Sequence, residues 1–207
     1  SFSPWPKHAG SSRSVDLVAP GAQMQGLRVP GSYNELMYKA GKVGDRYFRG
    51  SGTSESAAIV SFLVTAHPEK GLSPVPGSDD FGEFLSWLHF MSPNLYQTNN
   101  LALGGNVYAM DDAHDRFIIA KATERADSYW ALLDQRLQSE GPWLMGEHFS
   151  ALDIYAFMLS LWGRPSETAL HAKFPHIARL AADVRARPKL KAALEAHGVI
   201  EPDGYSG

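Results

Sequence analysis

The chain has 207 residues, 44% of them hydrophobic and 20% charged, with 19 basic against 22 acidic side chains and a formal net charge of -3. This is ordinary globular usage, which excludes a disordered chain, and with no Lys/Arg run a nucleic-acid or anionic-membrane partner has no electrostatic basis. There are no cysteines, so disulfides, Cys-ligated metals and a protein thiol nucleophile are excluded. The most apolar run, Ala151 to Trp162, contains Asp153 and falls well short of the roughly 20 residues of a bilayer span. The N-terminal residues Ser-Phe-Ser-Pro-Trp-Pro-Lys-His lack the charged-then-apolar order of a signal peptide. The expectation is a soluble, cytoplasmic protein.

From Ser1 to about Pro76 the chain is turn-rich and mixed. Asn34 to Tyr38 and Asp45 to Arg49 read as short strands separated by Gly41 and Gly44. Gly50-Ser51-Gly52 then leads into a helix that Thr53 or Ser54 can cap and His67-Pro68 stops, with Ile59, Val60, Leu63 and Val64 as its apolar stripe. Glu55 suits the positive end of its dipole. Leu72 to Asp79, with two prolines and a glycine, reads as a linker.

Beyond the linker the pattern is helical. Phe81, Phe84, Leu85, Leu88 and Leu95 recur at helix spacing, and Pro93 is expected to kink or end that helix. A second stripe runs through Phe117, Ile118, Ala122, Ala126, Tyr129, Trp130, Leu133 and Leu137. Leu152 to Trp162 is apolar nearly all round, the mark of a helix at the centre of a bundle. Ile177, Leu180, Ala181 and Val184 continue the pattern, and Arg187-Pro188 opens a last short helix. Asp111, Asp112, His114 and Asp115 stand where a long helix needs a cap and an acidic first turn, which outweighs a metal-site reading. The eight histidines form no zinc-binding spacing, so no metal is expected.

The sharpest local signal is Gly146-Glu-His-Phe-Ser150-Ala-Leu-Asp153, where Ser150 and Asp153 have capping-box spacing ahead of an apolar run. With the preceding Gly-Pro-Trp-Leu-Met and the following Ile-Tyr-Ala, this segment resembles the buried-helix signature of the glutathione transferase C-terminal domain. Phe174-Pro175-His176-Ile177 followed by Val184-Arg-Ala-Arg-Pro188 is similar to the family's penultimate segment, and Thr53-Ser-Glu-Ser-Ala-Ala-Ile59 resembles its glutathione-anchoring turn. The resemblance covers roughly residues 41 to 198. The implied architecture is an α/β thioredoxin-like N-terminal domain over residues 1–72, followed by an all-α helical bundle domain over residues 79–200.

The resemblance implies a transferase that attacks a small apolar electrophile with the thiolate of its co-substrate, glutathione. Glu55 and Ser56 would bind the γ-glutamyl end, since a helix N-terminus offers free N–H groups to a carboxylate; alternatively they only start a helix. The backbone of Val43 would pair with the cysteinyl unit, although Gly44 follows it where the family has a cis-proline, and Val29-Pro30 is the competing position. Ser11 or Ser12 would activate the thiol, with Ser3 as competitor and an ordinary polar loop as the plain alternative. Trp87, His89, Phe90, Tyr96 and Trp162 are expected to be mostly core, with one or two lining the second-substrate pocket. The first 40 residues depart from the pattern, because Ser11 to Val18 is soon interrupted by Pro20-Gly21 where an amphipathic helix is expected. A homodimer is also implied. The alternatives are a non-catalytic binding or dimerising scaffold of the same fold and a glutathione-dependent etherase or isomerase.

Overall fold

A computed structural model describes residues 24–27, 42–43, 47–50, 53–104 and 108–204. The chain divides into two compact units, Ser1–Leu63 and Val64–Gly207. In the first, strands β1 (Met24–Leu27), β2 (Lys42–Val43) and β3 (Tyr47–Gly50) form an antiparallel sheet in the order β1-β3-β2. Met24 pairs with Gly50 and Leu27 with Tyr47 on one side of β3, while Val43 also pairs with Tyr47 from the other. The strand expected over Asp45 to Arg49 thus lies two residues later at its start, and that expected over Asn34 to Tyr38 falls outside the described residues. Helix α1 (Thr53–Ala66) follows β3 after two residues, at the position the Gly-rich turn and the His67-Pro68 stop foretold.

The second unit is helical. After a single 3₁₀ turn at Pro68–Lys70 and the linker come α2 (Asp79–Phe90), a π-helical turn (Met91–Tyr96) and α3 (Gln97–Ala102). Helix α4 (Asp112–Glu140) is the longest, followed by α5 (Ala151–Ser160), α6 (Glu167–Lys173), α7 (Pro175–Arg185) and α8 (Lys191–His197). The helical run that α2 begins does not break off at Pro93 but passes through it as a π turn. The wide π turn accommodates the residue that lacks an N–H, and the Asn94 side chain donates to the Phe90 carbonyl at 3.0 Å.

The core is built from Phe84, Leu88, Met91 and Leu95 on the first helical run, Trp130, Leu133 and Leu137 on α4, and Leu152 and Leu159 on α5. Ile177, Leu180, Ala181 and Val184 on α7 are fully buried, as their spacing predicts. Two expectations fail. Phe117 is 59% exposed, because burial along α4 begins only at Ala122, more than a turn further on. Trp87, Phe90, Tyr96 and Trp162 are half-buried and His89 is exposed, so none of the five belongs to the sealed core.

Helix α5 starts inside this bundle, where its orphan amides cannot turn to water. Each has a partner. The Leu72 carbonyl accepts from Ala151 N–H at 2.9 Å, the Ser150 hydroxyl from Leu152 N–H at 3.2 Å, and the Ser150 carbonyl from Asp153 N–H at 3.3 Å. Asp153 closes the box by accepting from Ser150 N–H at 2.7 Å, and its other oxygen accepts from Leu144 N–H at 2.9 Å. That second bond fixes the turn before α5, where Gly146 at φ +70° takes a conformation that disfavours side chains.

Candidate functional site

In the first unit the expected binding segments lie on β2 and α1, the elements on either side of β3 in the chain. Val43 ends β2, an edge strand among those described, and pairs with Tyr47 at the start of β3. Gly50 ends β3, and Glu55 and Ser56 follow in the first turn of α1. At a strand rise of about 3.3 Å per residue, the length of β3 separates Val43 from the approach to α1 by about 10 Å. A helix N-terminus offers N–H groups without intrahelical partners and a partial positive charge, which suit a carboxylate. Ser3, Ser11, Ser12 and Val29-Pro30 lie outside the described residues, as do the side chains of Val43, Glu55 and Ser56.

In the helical unit the half-buried aromatic residues expected near the second-substrate pocket fall into two groups. Trp87, Phe90 and Tyr129 make successive edge-to-face contacts, with ring centroids 5.8 and 5.4 Å apart, across α2 and α4. Tyr96 and Trp162 pair separately at 5.3 Å, joining the π turn to the end of α5. Beside this second pair, the buried hydroxyls of Ser92 and Tyr155 approach each other without forming a well-aligned hydrogen bond. Burial pushes the Tyr155 phenol well above its ordinary value; the Ser92 hydroxyl opposes the shift and Tyr96 adds to it. Tyr155 therefore stays protonated and can donate a hydrogen bond but cannot serve as a base.

Sequence reasoning singled out Tyr96 and Trp162 but missed Ser92 and Tyr155. The available signal was the phenol of Tyr155 in a helix buried nearly all round, since a buried hydroxyl needs a partner. The acidic cluster before α4 performs the capping role expected of it, Asp111 accepting from His114 N–H at 2.8 Å. Among the described residues no group of His, Asp or Glu could hold a metal ion, and no helix is long and apolar enough to cross a membrane.

Residues 103–197 match the family model for the C-terminal domain of glutathione S-transferase. The chain is 24% identical over 149 residues to glutathione S-transferase GST-4.5 of Xanthomonas campestris pv. campestris, covering 70% of this chain and 71% of that one. A shorter similarity, 36% over 58 residues, spans only 13% of serine protease AprX of Bacillus subtilis. Among solved structures, the ternary complex of BphK, a bacterial GST, superposes with a TM-score of 0.59 at 20% identity, over 80% of this chain and 79% of that one. A sphingomonad glutathione S-transferase complexed with glutathione gives 0.57 at 24% identity over the same shares. At this identity the structural likeness shows the fold.

Proposed function

Because the chain belongs to the glutathione S-transferase family, whose C-terminal domain occupies residues 103–197, we propose that it is a glutathione transferase joining the glutathione thiolate to a small apolar electrophile. The observation that carries this reading is the start of α1 at Thr53, directly after β3, with Glu55 and Ser56 in its first turn. A carboxylate at that helix end meets free N–H groups, the Ser56 hydroxyl adds a donor, and Glu55 offers a counter-charge to an α-ammonium. Val43 pairs with the start of β3, the strand that ends at Gly50 two residues before α1, so its backbone is suited to the cysteinyl unit. Ser11 or Ser12 stabilises the thiolate, which is the nucleophile. The Tyr96–Trp162 pair forms part of the wall for the apolar electrophile.

In this reading residues 1–72 are a thioredoxin-like glutathione-binding domain, residues 79–200 the helical domain, and the protein is a cytoplasmic homodimer. A second reading is a scaffold of the same fold without catalysis. It is favoured by the all-antiparallel order β1-β3-β2, since a thioredoxin-like half also contains a parallel βαβ unit, which is not found among the described residues.

Calorimetric titration with glutathione separates the two. Wild type should bind, and Ser56→Ala should bind more weakly by about 1–3 kcal/mol, the range for losing a hydrogen bond to a charged group. Glu55→Ala should weaken binding in the same way, whereas replacing the activating serine should slow conjugation with binding kept. No binding at millimolar glutathione would leave the scaffold; equal binding by wild type and Ser56→Ala would move the site away from α1.

A further inference from the structure

Independently of the catalytic reading, we infer that residues 199–204 form a proton-releasable clasp on α6, held through the Glu167 carboxylate and sensing acid through the neighbouring His171. Glu167 is 2% exposed, yet both of its oxygens are engaged. Oε1 accepts from Arg185 Nη2 of α7 at 2.7 Å, and Oε2 accepts from the backbone N–H of Asp203 at 3.2 Å. Asp203 returns the connection: its carboxylate accepts from the Thr168 N–H at 3.0 Å and from the Thr168 hydroxyl. The C-terminal segment thereby caps α6 from 35 residues away, alongside the local cap Ser166. Arg185 makes a second link, its Nε donating to the Val199 carbonyl at 3.3 Å while its guanidinium lies 5.0 Å over the Phe157 ring.

His171 stands one turn along α6 from Glu167. Its Nε2 is buried, has no hydrogen-bond partner and lies 3.7 Å from Glu167 Oε1, too far to bond. The charged groups acting on it are Glu167 from its own helix, Arg185 from α7 and Asp203 from the C-terminal segment. Burial is the largest influence and holds the imidazole below its ordinary value; Arg185 acts in the same sense, and the two carboxylates oppose it. The closed clasp therefore binds the proton less tightly than an opened one in which water reaches the imidazole. Stability from this group is present above the ordinary histidine range and is lost as pH falls through it. Acidification pulls the clasp open, since opening gives the imidazolium its hydration.

The test is amide hydrogen exchange on the full chain between about pH 7.5 and 5.5, corrected for intrinsic rates, on either side of the ordinary histidine value. Protection of the Thr168 and Asp203 amides, whose acceptors belong to the clasp, should fall several-fold on acidification, while that of Leu133 in the core of α4 holds. His171→Gln, neutral throughout, should keep protection at the higher pH and lose the response. Wild-type protection that does not change with pH would overturn the clasp, as would an undiminished response in His171→Gln. Should that variant not fold, the wild-type imidazole titration followed by NMR decides: a midpoint below the ordinary value supports the proposal, and one at or above it overturns it.

Discussion

At Asp153 two opposing effects meet on one carboxyl. The N–H groups of Leu144 and Ser150 and the Ser150 hydroxyl all donate to it, which favours the charged form, as does its place in the first turn of α5. Burial at 0% exposure outweighs them and pushes the group up to about 6. The folded protein thus holds this proton more tightly than the unfolded chain. The stability it supplies is complete below the unfolded value of 3.8 and is lost as pH rises through about 6. Two pKa units correspond to about 3 kcal/mol, so wild type should lose an advantage of that order over Asp153→Asn across the window. Chemical unfolding of both proteins at a series of pH values measures it, and a constant difference would show that the carboxyl does not titrate there. Ser150→Ala, which leaves the Leu152 amide unbonded and removes the hydroxyl that donates to Asp153, should cost about 1–2 kcal/mol.

The five helix starts of the second unit that a side chain caps follow two different rules. Helices α2, α4, α5 and α6 are capped by the residue just before them, Ser78, Asp111, Ser150 and Ser166, whose side chains accept amides two or three positions on. Helix α7 follows the other rule. Its preceding residue, Phe174, has no capping group, and Pro175 at the first position removes one orphan donor. The next two amides, of His176 and Ile177, donate at 2.8 and 3.0 Å to Asp134, which projects from α4. One carboxylate therefore both caps α7 and joins it to α4. Asp134→Ala should destabilise the protein by about 1–3 kcal/mol, with Asp134→Asn intermediate because the amide oxygen still accepts. Urea unfolding of the three proteins tests this order; an alanine variant as stable as wild type would leave α7 without need of the cap.

At the scale of the whole molecule, the helical unit leaves several large apolar side chains in solvent. Leu103, Tyr108 and Met110 are exposed before α4, and Phe117 is exposed in its second turn. Monomeric proteins rarely leave large apolar areas open, so these residues fit the proposed homodimer. Sedimentation at micromolar concentration should give about twice 22.7 kDa, and Phe117→Glu should shift the mass toward one chain. A single species near 22.7 kDa for wild type would remove the dimer.

The sequence by itself determined the helical unit, because a helix is written in neighbours. Its hydrogen bonds span four residues, its buried face repeats at three or four, and its caps sit within three of its start. Ser150 with Asp153, the fully buried positions of α7 and the stop at His67-Pro68 were legible for that reason. Glu55 and Ser56 were legible only as the first turn of a helix, since the same residues serve a cap and an anion site. What only the tertiary structure decided lies between residues far apart in the chain. Asp134 meets the α7 amides 42 and 43 residues on, Asp203 reaches back 35 residues to Thr168, and Tyr155 faces Ser92. No spacing rule announces such pairs, because they depend on how helices pack rather than on how each one forms. Phe117 shows the converse: its spacing is that of a core residue, but burial needs a partner surface, and its side chain is left 59% exposed.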